Sequence, residues 1–504
     1  MRYILAHDLG TTGNKATLYD ADGHLVGSAL HAYATQYQHA GWAEQNPEDW
    51  WQAVCLSTRQ LLAETGIRGA DVAVLSFSGQ MMGAVALDKH AHPLRPAIIW
   101  ADTRATEQSK RLSEKLSPEQ VYRITGHRLS SSYSVHKIAW IRQHQPDIYH
   151  ATYKFMHAKD AMIARLTGRF VTEPSDASGM NCYHLEGGTW SGMILEAAGV
   201  DAEKLPDIVA STDVVGGVLA SVAGELGLPV GVPVVAGGGD GACASVGAGS
   251  VREDVVYSYV GSSSWIATTS AKPIYDPDQR TFSFGHVVPN MFMPCGTMQT
   301  AGASYQWTRD QLGGLERQAA DLLGVSSYTL MNTLAEGSAA GANGLLFLPY
   351  LLGERSPRWN PNARAAFIGM TMRHTRADMF RAVLEGVALN LKVIAEAFIR
   401  QGAQVDAVRA IGGGVSGRLW AQIMADVYGA PLHRLHILEE ATSMGAAVVG
   451  GVGVGIYPDF SIAEAMNPIE ETLMPNPEQR ALYAKRLQAF EAAYSALEPI
   501  FEML

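Results

Sequence analysis

Residues Tyr3–Tyr19 read YILAHDLGTTGNKATLY, and their pattern sets the fold class. An apolar run at Tyr3–His7 ends at Asp8, Gly10–Gly13 supply a turn, and a second run follows at Ala16–Tyr19. The Asp22-Gly23 pair then turns the chain into a third predicted strand over His24–Ala29. A long helix is predicted over Pro47–Glu64, where Trp50, Val54 and Leu61 fall close to helical spacing. Strand, turn, strand and then helix open an α/β domain.

The same stretch carries chemistry. Asp8 places a carboxylate at a strand end. Gly10, Thr11, Thr12 and Lys15 follow with backbone N–H groups, hydroxyls and an ammonium that can turn toward phosphate oxygens. An ordinary hairpin would accept Gly-Thr-Thr-Gly as well, and the stretch lacks the G-x-x-x-x-G-K-S/T form of a P-loop. Gly237–Gly241, GGGDG, presents Asp240 on a loop open to approach, where a carboxylate can accept a hydroxyl proton as a phosphoryl group transfers. The plain alternative is an Asp-Gly turn. Gly412-Gly413-Gly414 precede a helix predicted at Leu419–Val427, and glycines placed so let a nucleotide approach the backbone and the helix N-terminus. Three such loops favour one shared nucleotide cleft.

At 504 residues the chain exceeds one core, because domains usually run to about 100–200 residues, so two large domains are expected. Val255–Ser270 repeats the opening strand, small-residue turn and strand. Asp8–Lys15 and Gly261–Ser264 would thus give two hairpins able to hold a polyphosphate between two halves. The boundary is placed near residues 245–255, giving domains 1–250 and 251–504. Ser117-Pro118-Glu119-Gln120 has capping-box form with Gly126 as its stop. Arg376–Arg400 is predicted as a helix with Phe380, Val383, Val387, Leu391, Ile394 and Phe398 on one face, and the tail beyond Pro475 also reads as helical.

Composition excludes several classes of function. A formal charge of -11 with no basic block opposes nucleic acid. Cys55, Cys182, Cys243 and Cys295 are scattered without C-x-x-C spacing, as buried thiols in a reducing compartment are. The 16 histidines are dispersed, and neither His136 nor His157 has metal-ligand spacing; His7 reads as structural. The apolar run at the N-terminus is too short for a signal peptide, and no stretch reaches the roughly 18 apolar residues of a membrane span. A cytoplasmic protein without a membrane partner is expected.

The opening DLGTTGNK, Ser78–Gly83 (SGQMMG) and Trp100–Arg104 (WADTR) resemble, in order, the N-terminal motifs of FGGY carbohydrate kinases, xylulokinases in particular. Ser132–His144, with Lys137 and Trp140, is similar to the first family signature, and Ala365–Glu385 to the second. GGGD at Asp240, GGGVSGRLWAQIMADVYG from Gly412 and ATSMGAA from Ala441 extend the resemblance to about residue 452. It implies two RNase H-like, actin/hexokinase-type ATPase domains around a deep cleft, sugar held mainly by the first and ATP mainly by the second. It further implies Asp240 as general base and Asp8 holding Mg²⁺ through water. Thr11, Thr12, Lys15 and Ser262 would face the phosphates, with Gly302, Gly413, Gly414 and Gly417 near the nucleotide. Gln80, Met81, Met82, Trp100 and Asp102 would line the sugar pocket. The implied reaction transfers the ATP γ-phosphate to a terminal hydroxyl of a small ketose, a pentulose first. Another ketose, a polyol, a sugar-like signal or a non-kinase ATPase of the actin superfamily are the alternatives. Dimers are common in the family.

Two departures bear on this. Xylulokinases carry histidine where this chain has Met82, a soft apolar side chain in place of a polar donor, which turns the expected preference away from D-xylulose. Gly417-Arg418 departs on the nucleotide side. Trp42–Gln45 resembles a family segment whose reading leaves substrate contact and packing both open. Glu354 and Arg355 are expected to form a structural ion pair.

Overall fold

The computed structural model describes residues 2–504. Among these, the first half of the chain builds a seven-stranded sheet from β1 (Tyr3–Leu9), β2 (Gly13–Asp20), β3 (Leu25–Ala32), β4 (Val72–Gly79), β5 (Val214–Gly217), β6 (Pro233–Val235) and β7 (Gly238–Gly239). The predicted meander forms β1, β2 and β3, antiparallel in register, while β4 lies parallel to β1 on its other side. β6 and the short β7 run parallel to β4. Helix α1 (Pro47–Thr65) starts where the Asn46 side chain accepts the Glu48 N–H and stops at Gly66, whose φ of 69° is left-handed. It buries Trp50, Trp51, Val54 and Leu61 against Leu5, Leu18 and Phe77 of the sheet.

Shorter helices follow: α2 (Pro118–Thr125), with the predicted capping box of Ser117 and Gln120, α3 (Ser134–His144), α4 (Ala158–Thr167), α5 (Pro174–Ser178) and α6 (Asp240–Gly247).

The second half repeats the plan. Strands β8 (Val256–Val260), β9 (Ser264–Thr268), β10 (Phe282–Gly285), β11 (Phe292–Met298), β12 (Val408–Ile411), β13 (Leu432–Leu435) and β14 (Ile469–Leu473) form a sheet in the order β10-β11-β9-β8-β12-β13-β14. Antiparallel β11-β9-β8 followed by parallel β12 and β13 matches β3-β2-β1 followed by β4 and β6. The sequence echo at Val255–Ser270 is therefore a repeat of topology. Helices α7 (Gly302–Leu312), α8 (Arg376–Arg400), α9 (Arg418–Tyr428), α10 (Ala441–Gly453) and α11 (Pro477–Phe501) complete this half. α8 buries all six residues of its predicted face, and also Leu384 and Leu389, so it is a core helix.

The halves meet through α6 and α10. A Cβ on Gly445 would stand 1.9 Å from the carbonyl oxygen of Cys243, and one on Gly247 1.8 Å from that of Ala441, so only glycine permits this crossing. α10 also rests on β1 and β4 of the first sheet. Met81 packs in one apolar cluster with Tyr257, Met293, Cys295 and Ile411 of the second half. All four cysteines are buried free thiols. Among the described residues no helix is long and apolar enough to cross a membrane.

Candidate active site

Strand register assembles the centre. Asp8 on β1 lies opposite Lys15 of β2 and Ser78 of β4, and Ser78 in turn lies opposite Gly238 of β7. β7 runs straight into Asp240, which stands as the first residue of α6 and not on an open loop as expected; its Oδ1 accepts the Gly241 N–H at 2.7 Å. The two half-buried carboxylates sense each other. Burial first, and the Asp8 charge second, push Asp240 up to about 7. Burial likewise raises Asp8, against the pull of Ser78 and Lys15.

Behind Asp240 lies a buried charged cluster. Lys159 of α4 contacts Asp160 at 2.5 Å, Asp176 at 3.1 Å and Glu173 at 3.6 Å. His157 meets Asp176 at 2.6 Å through Nδ1 and Ser134 at 2.7 Å through Nε2. Sequence spacing hid this gathering of His157, Asp160 and Asp176, whose donor atoms lie within 4.8 Å of one another. The Lys159 ammonium supplies their cation.

The residues expected on the sugar side converge on the β1–β2 turn. Gln80 Nε2 donates to Gly10 O at 3.2 Å and to Gln45 Oε1 at 2.8 Å, while Gln45 Nε2 donates to Thr11 O at 2.7 Å. Trp100 Nε1 donates to Thr11 Oγ1 at 2.8 Å. The buried Gln80 Oε1 has no partner, so it can accept from a ligand hydroxyl. Both oxygens of Asp102 are engaged: Arg104 Nε spans them and the Ala43 N–H donates to Oδ2 at 2.6 Å. Arg104 stacks 3.6 Å from the Trp42 ring centroid and pairs with Glu44 at 2.7 Å. Trp42–Gln45 thus forms the scaffold of this pocket. Met82 has a left-handed φ of 63°, and its carbonyl accepts Lys137 Nζ at 2.7 Å. The same ammonium donates to Ile99 O at 2.8 Å and Ser132 O at 2.5 Å, which fixes the pocket wall.

On the other side, Lys15 crosses to the second half, donating to Glu439 O at 3.2 Å and pairing with Glu440 at 3.5 Å. Thr12 is exposed. Ser262 is exposed at the β8–β9 turn, and its carbonyl accepts Ala301 N–H at 2.8 Å. Gly302 opens α7 against that turn, where a Cβ would meet Gly261 O at 2.5 Å. Gly413 is exposed and Gly414 packs on Val260, a Cβ there falling 2.4 Å from Val260 Cγ1. The structure therefore gathers Ser262, Gly302, Gly413 and Gly414 around the end of β8. Gly417 caps α9 and approaches Asn332, a neighbour that no sequence signal marked.

The expected Glu354–Arg355 ion pair does not form. Glu354 Oε1 accepts the Gln299 N–H at 2.6 Å and the Arg355 backbone N–H at 2.8 Å, and Oε2 accepts Asn390 Nδ2 at 3.0 Å. Burial pushes Glu354 up to about 8. Backbone donors hold this carboxyl, which frees the Arg355 side chain to reach the first half, its Nη2 4.0 Å from Met82 Sδ. Arg355 lines a cavity of about 720 Å³ with Gln299 and Trp359 on one side and Trp100, Arg128 and Ser132 on the other. The cavity opens between the two halves; Asp8, Gln80, Met82 and Asp240 are not among its lining residues.

Residues 3–247 match the FGGY family of carbohydrate kinases, N-terminal domain, and residues 256–454 match its C-terminal domain. The chain is 33% identical over 494 residues to the xylulose kinase of Staphylococcus epidermidis, covering 97% of this chain and 96% of that protein. Ligand-bound xylulose kinase from Lactobacillus acidophilus superposes with a TM-score of 0.92 at 27% identity, over 100% of both chains. Gluconate kinase from the same organism gives 0.91 at 27% identity over 98% of each. A cleft between two repeated sheets, with two carboxylates at adjoining strand ends, thus accompanies a match along nearly the whole chain: the protein belongs to the FGGY family of carbohydrate kinases and is a carbohydrate kinase of the xylulose kinase-like kind.

Proposed function

We propose that the protein transfers the γ-phosphate of ATP to a terminal hydroxyl of a small ketose, a pentulose first. Residues 1–250 would hold the sugar and 251–504 the nucleotide. The observation that carries this reading is the placing of two carboxylates at neighbouring strands, Asp8 on β1 and Asp240 directly after β7, with β4 between them; burial and the Asp8 charge push Asp240 up to about 7, where a general base works well. As the sugar oxygen bonds to phosphorus and the bond to the ADP oxygen breaks, Asp240 takes the hydroxyl proton. Gln80 accepts from a sugar hydroxyl, Met81 and Trp100 supply the apolar walls, and Asp102, through Arg104 and the Ala43 N–H, fixes the Trp42–Gln45 segment beside them. Thr11, Thr12 and Ser262 turn their N–H and hydroxyl groups to the phosphates, Gly10, whose N–H bonds Gly13 O at 3.0 Å, shapes the turn that presents them, and Lys15 joins them where the halves meet. Gly302, Gly413, Gly414 and Gly417 leave room for the nucleotide.

The donor set fits Mg²⁺: Asp8 offers hard oxygens, and a divalent cation would relieve its repulsion with Asp240. When bound, the ion neutralises charge that develops on the phosphate oxygens. The likeness to a gluconate kinase supports a second reading, in which a sugar acid is the acceptor. ADP release measured over a panel of ketoses, sugar acids and polyols tests both. The first reading expects the highest kcat/KM with a pentulose; a sugar acid at the head of the panel replaces it.

A further inference from the structure

Met82 lies at the sugar pocket with a thioether, which cannot donate a hydrogen bond. The nearest polar hydrogens to its sulfur that the structure records belong to the second half: Arg355 Nη2 stands 4.0 Å away. Several features aim that guanidinium there. Glu354 is buried and tied by Gln299, Asn390 and the Arg355 N–H, which fixes the backbone from which the side chain departs. The guanidinium carbon lies 5.9 Å from the centroid of Phe282, whose face guides it across the cleft. Arg355 has no carboxylate within ion-pair distance among the described residues, and it shares the cleft cavity with Trp100 and Ser132. Its charge is felt by Asp240, by Lys137 and by the buried Tyr133. A half-buried guanidinium that faces a polar-ligand cavity without an acid partner has donors to spare, in a planar fork suited to adjacent oxygens.

We propose that Arg355 is a substrate-binding residue contributed by the second half, donating to the sugar oxygens next to Met82 and so supplying the polar contact that Met82 cannot make. The inference rests on the sugar-kinase reading of this cleft and adds a consequence: the sugar pocket is complete only when both halves stand together. Sugar affinity then depends on a residue far in sequence from the rest of the sugar site, and closure is read out directly by the acceptor.

The test uses the full-length protein and the acceptor that heads the ADP-release panel. Arg355→Met should raise the KM for the acceptor by about tenfold or more, as loss of a charged donor to a ligand does, with the KM for ATP within about twofold of the parent. Arg355→Lys should recover only part of this, because an ammonium lacks the fork. Met82→His placed in the Arg355→Met background should lower the acceptor KM again, since an imidazole restores a donor at that point. A merely structural arginine would lower the melting temperature and raise both KM values together, and would not be rescued by Met82→His. An acceptor KM unchanged in Arg355→Met, or a matching rise for ATP, overturns the inference. Should a sugar acid head the panel, the pentulose reading fails while the Arg355 expectations stand unchanged on that acceptor. Should no member be phosphorylated, tryptophan quenching by D-xylulose compares the parent with Arg355→Met, and equal affinities overturn the inference.

Discussion

The hydroxyl of Ser175 accepts the backbone N–H of Gly239 at 2.9 Å, one residue before Asp240. The same hydroxyl donates to Glu173 Oε1 at 2.6 Å, and Glu173 also accepts the N–H groups of Ser175 and Asp176. Lys159 stands among these acids, so the buried charged cluster is joined to the segment that carries Asp240. Isolated buried charges are costly, and Lys159 pairs with all three acids of this set, although Asp160 Oδ2 and Asp176 Oδ2 make no hydrogen bond.

Ser175→Ala should therefore loosen Asp240 without touching substrate. It leaves the Gly239 N–H buried and unsatisfied, a cost of about 1–3 kcal/mol. Steady-state kinetics should show kcat down by about tenfold with the KM for ATP unchanged. Full kcat in this variant would show that the cluster serves packing alone.

Asp240→Asn keeps shape and removes the proton acceptor. Turnover should fall by about 10²–10⁴-fold while ATP binding, measured by titration, stays near the parent value. Retention of more than about a tenth of parent turnover argues against the base role.

The pH dependence follows from the direction of the Asp240 shift. Asp240 must be ionised to accept a proton, and its value is raised from 3.8 to about 7, so kcat/KM for the sugar should fall as pH drops through about 7. With saturating MgATP the limb should move to lower pH, because the cation favours the carboxylate. An acid limb near 4 in the free enzyme would mean that Asp8 and burial do not act on Asp240 as described.

Gly445→Ala tests the α6–α10 crossing at which the halves meet. Its methyl would collide with the Cys243 carbonyl oxygen, 1.9 Å from the ideal Cβ position, and forcing α6 and α10 apart should destabilise the protein by about 1–3 kcal/mol. Thermal unfolding should report a lowered midpoint; an unchanged midpoint would show that the helices separate freely.

Local signals carried much of this architecture. The β1–β2–β3 meander, the α2 capping box and the bounds of α8 were legible because turn glycines, caps and periodicity act within a few residues. The Asp240 carboxylate was legible as one that follows a buried strand and its glycines, but not as a helix start, since GGGDG gives no capping side chain. The Glu354–Arg355 reading failed because adjacency suggested a pair, whereas Glu354 is held by backbone donors and Asn390 from distant segments. The cluster of Lys159, Glu173 and Asp176, and the bond of Gln45 to the Thr11 carbonyl, arise only in three dimensions. Spacing could not announce them.

The most direct test is to incubate the protein with MgATP and the acceptor that heads the ADP-release panel and identify the product by phosphorus NMR, with Asp240→Asn alongside. The parent should form a sugar monophosphate in step with ADP, and the variant essentially none. ADP released at the same rate without sugar, or sugar phosphate formed equally by the variant, would contradict a sugar kinase with Asp240 as its base.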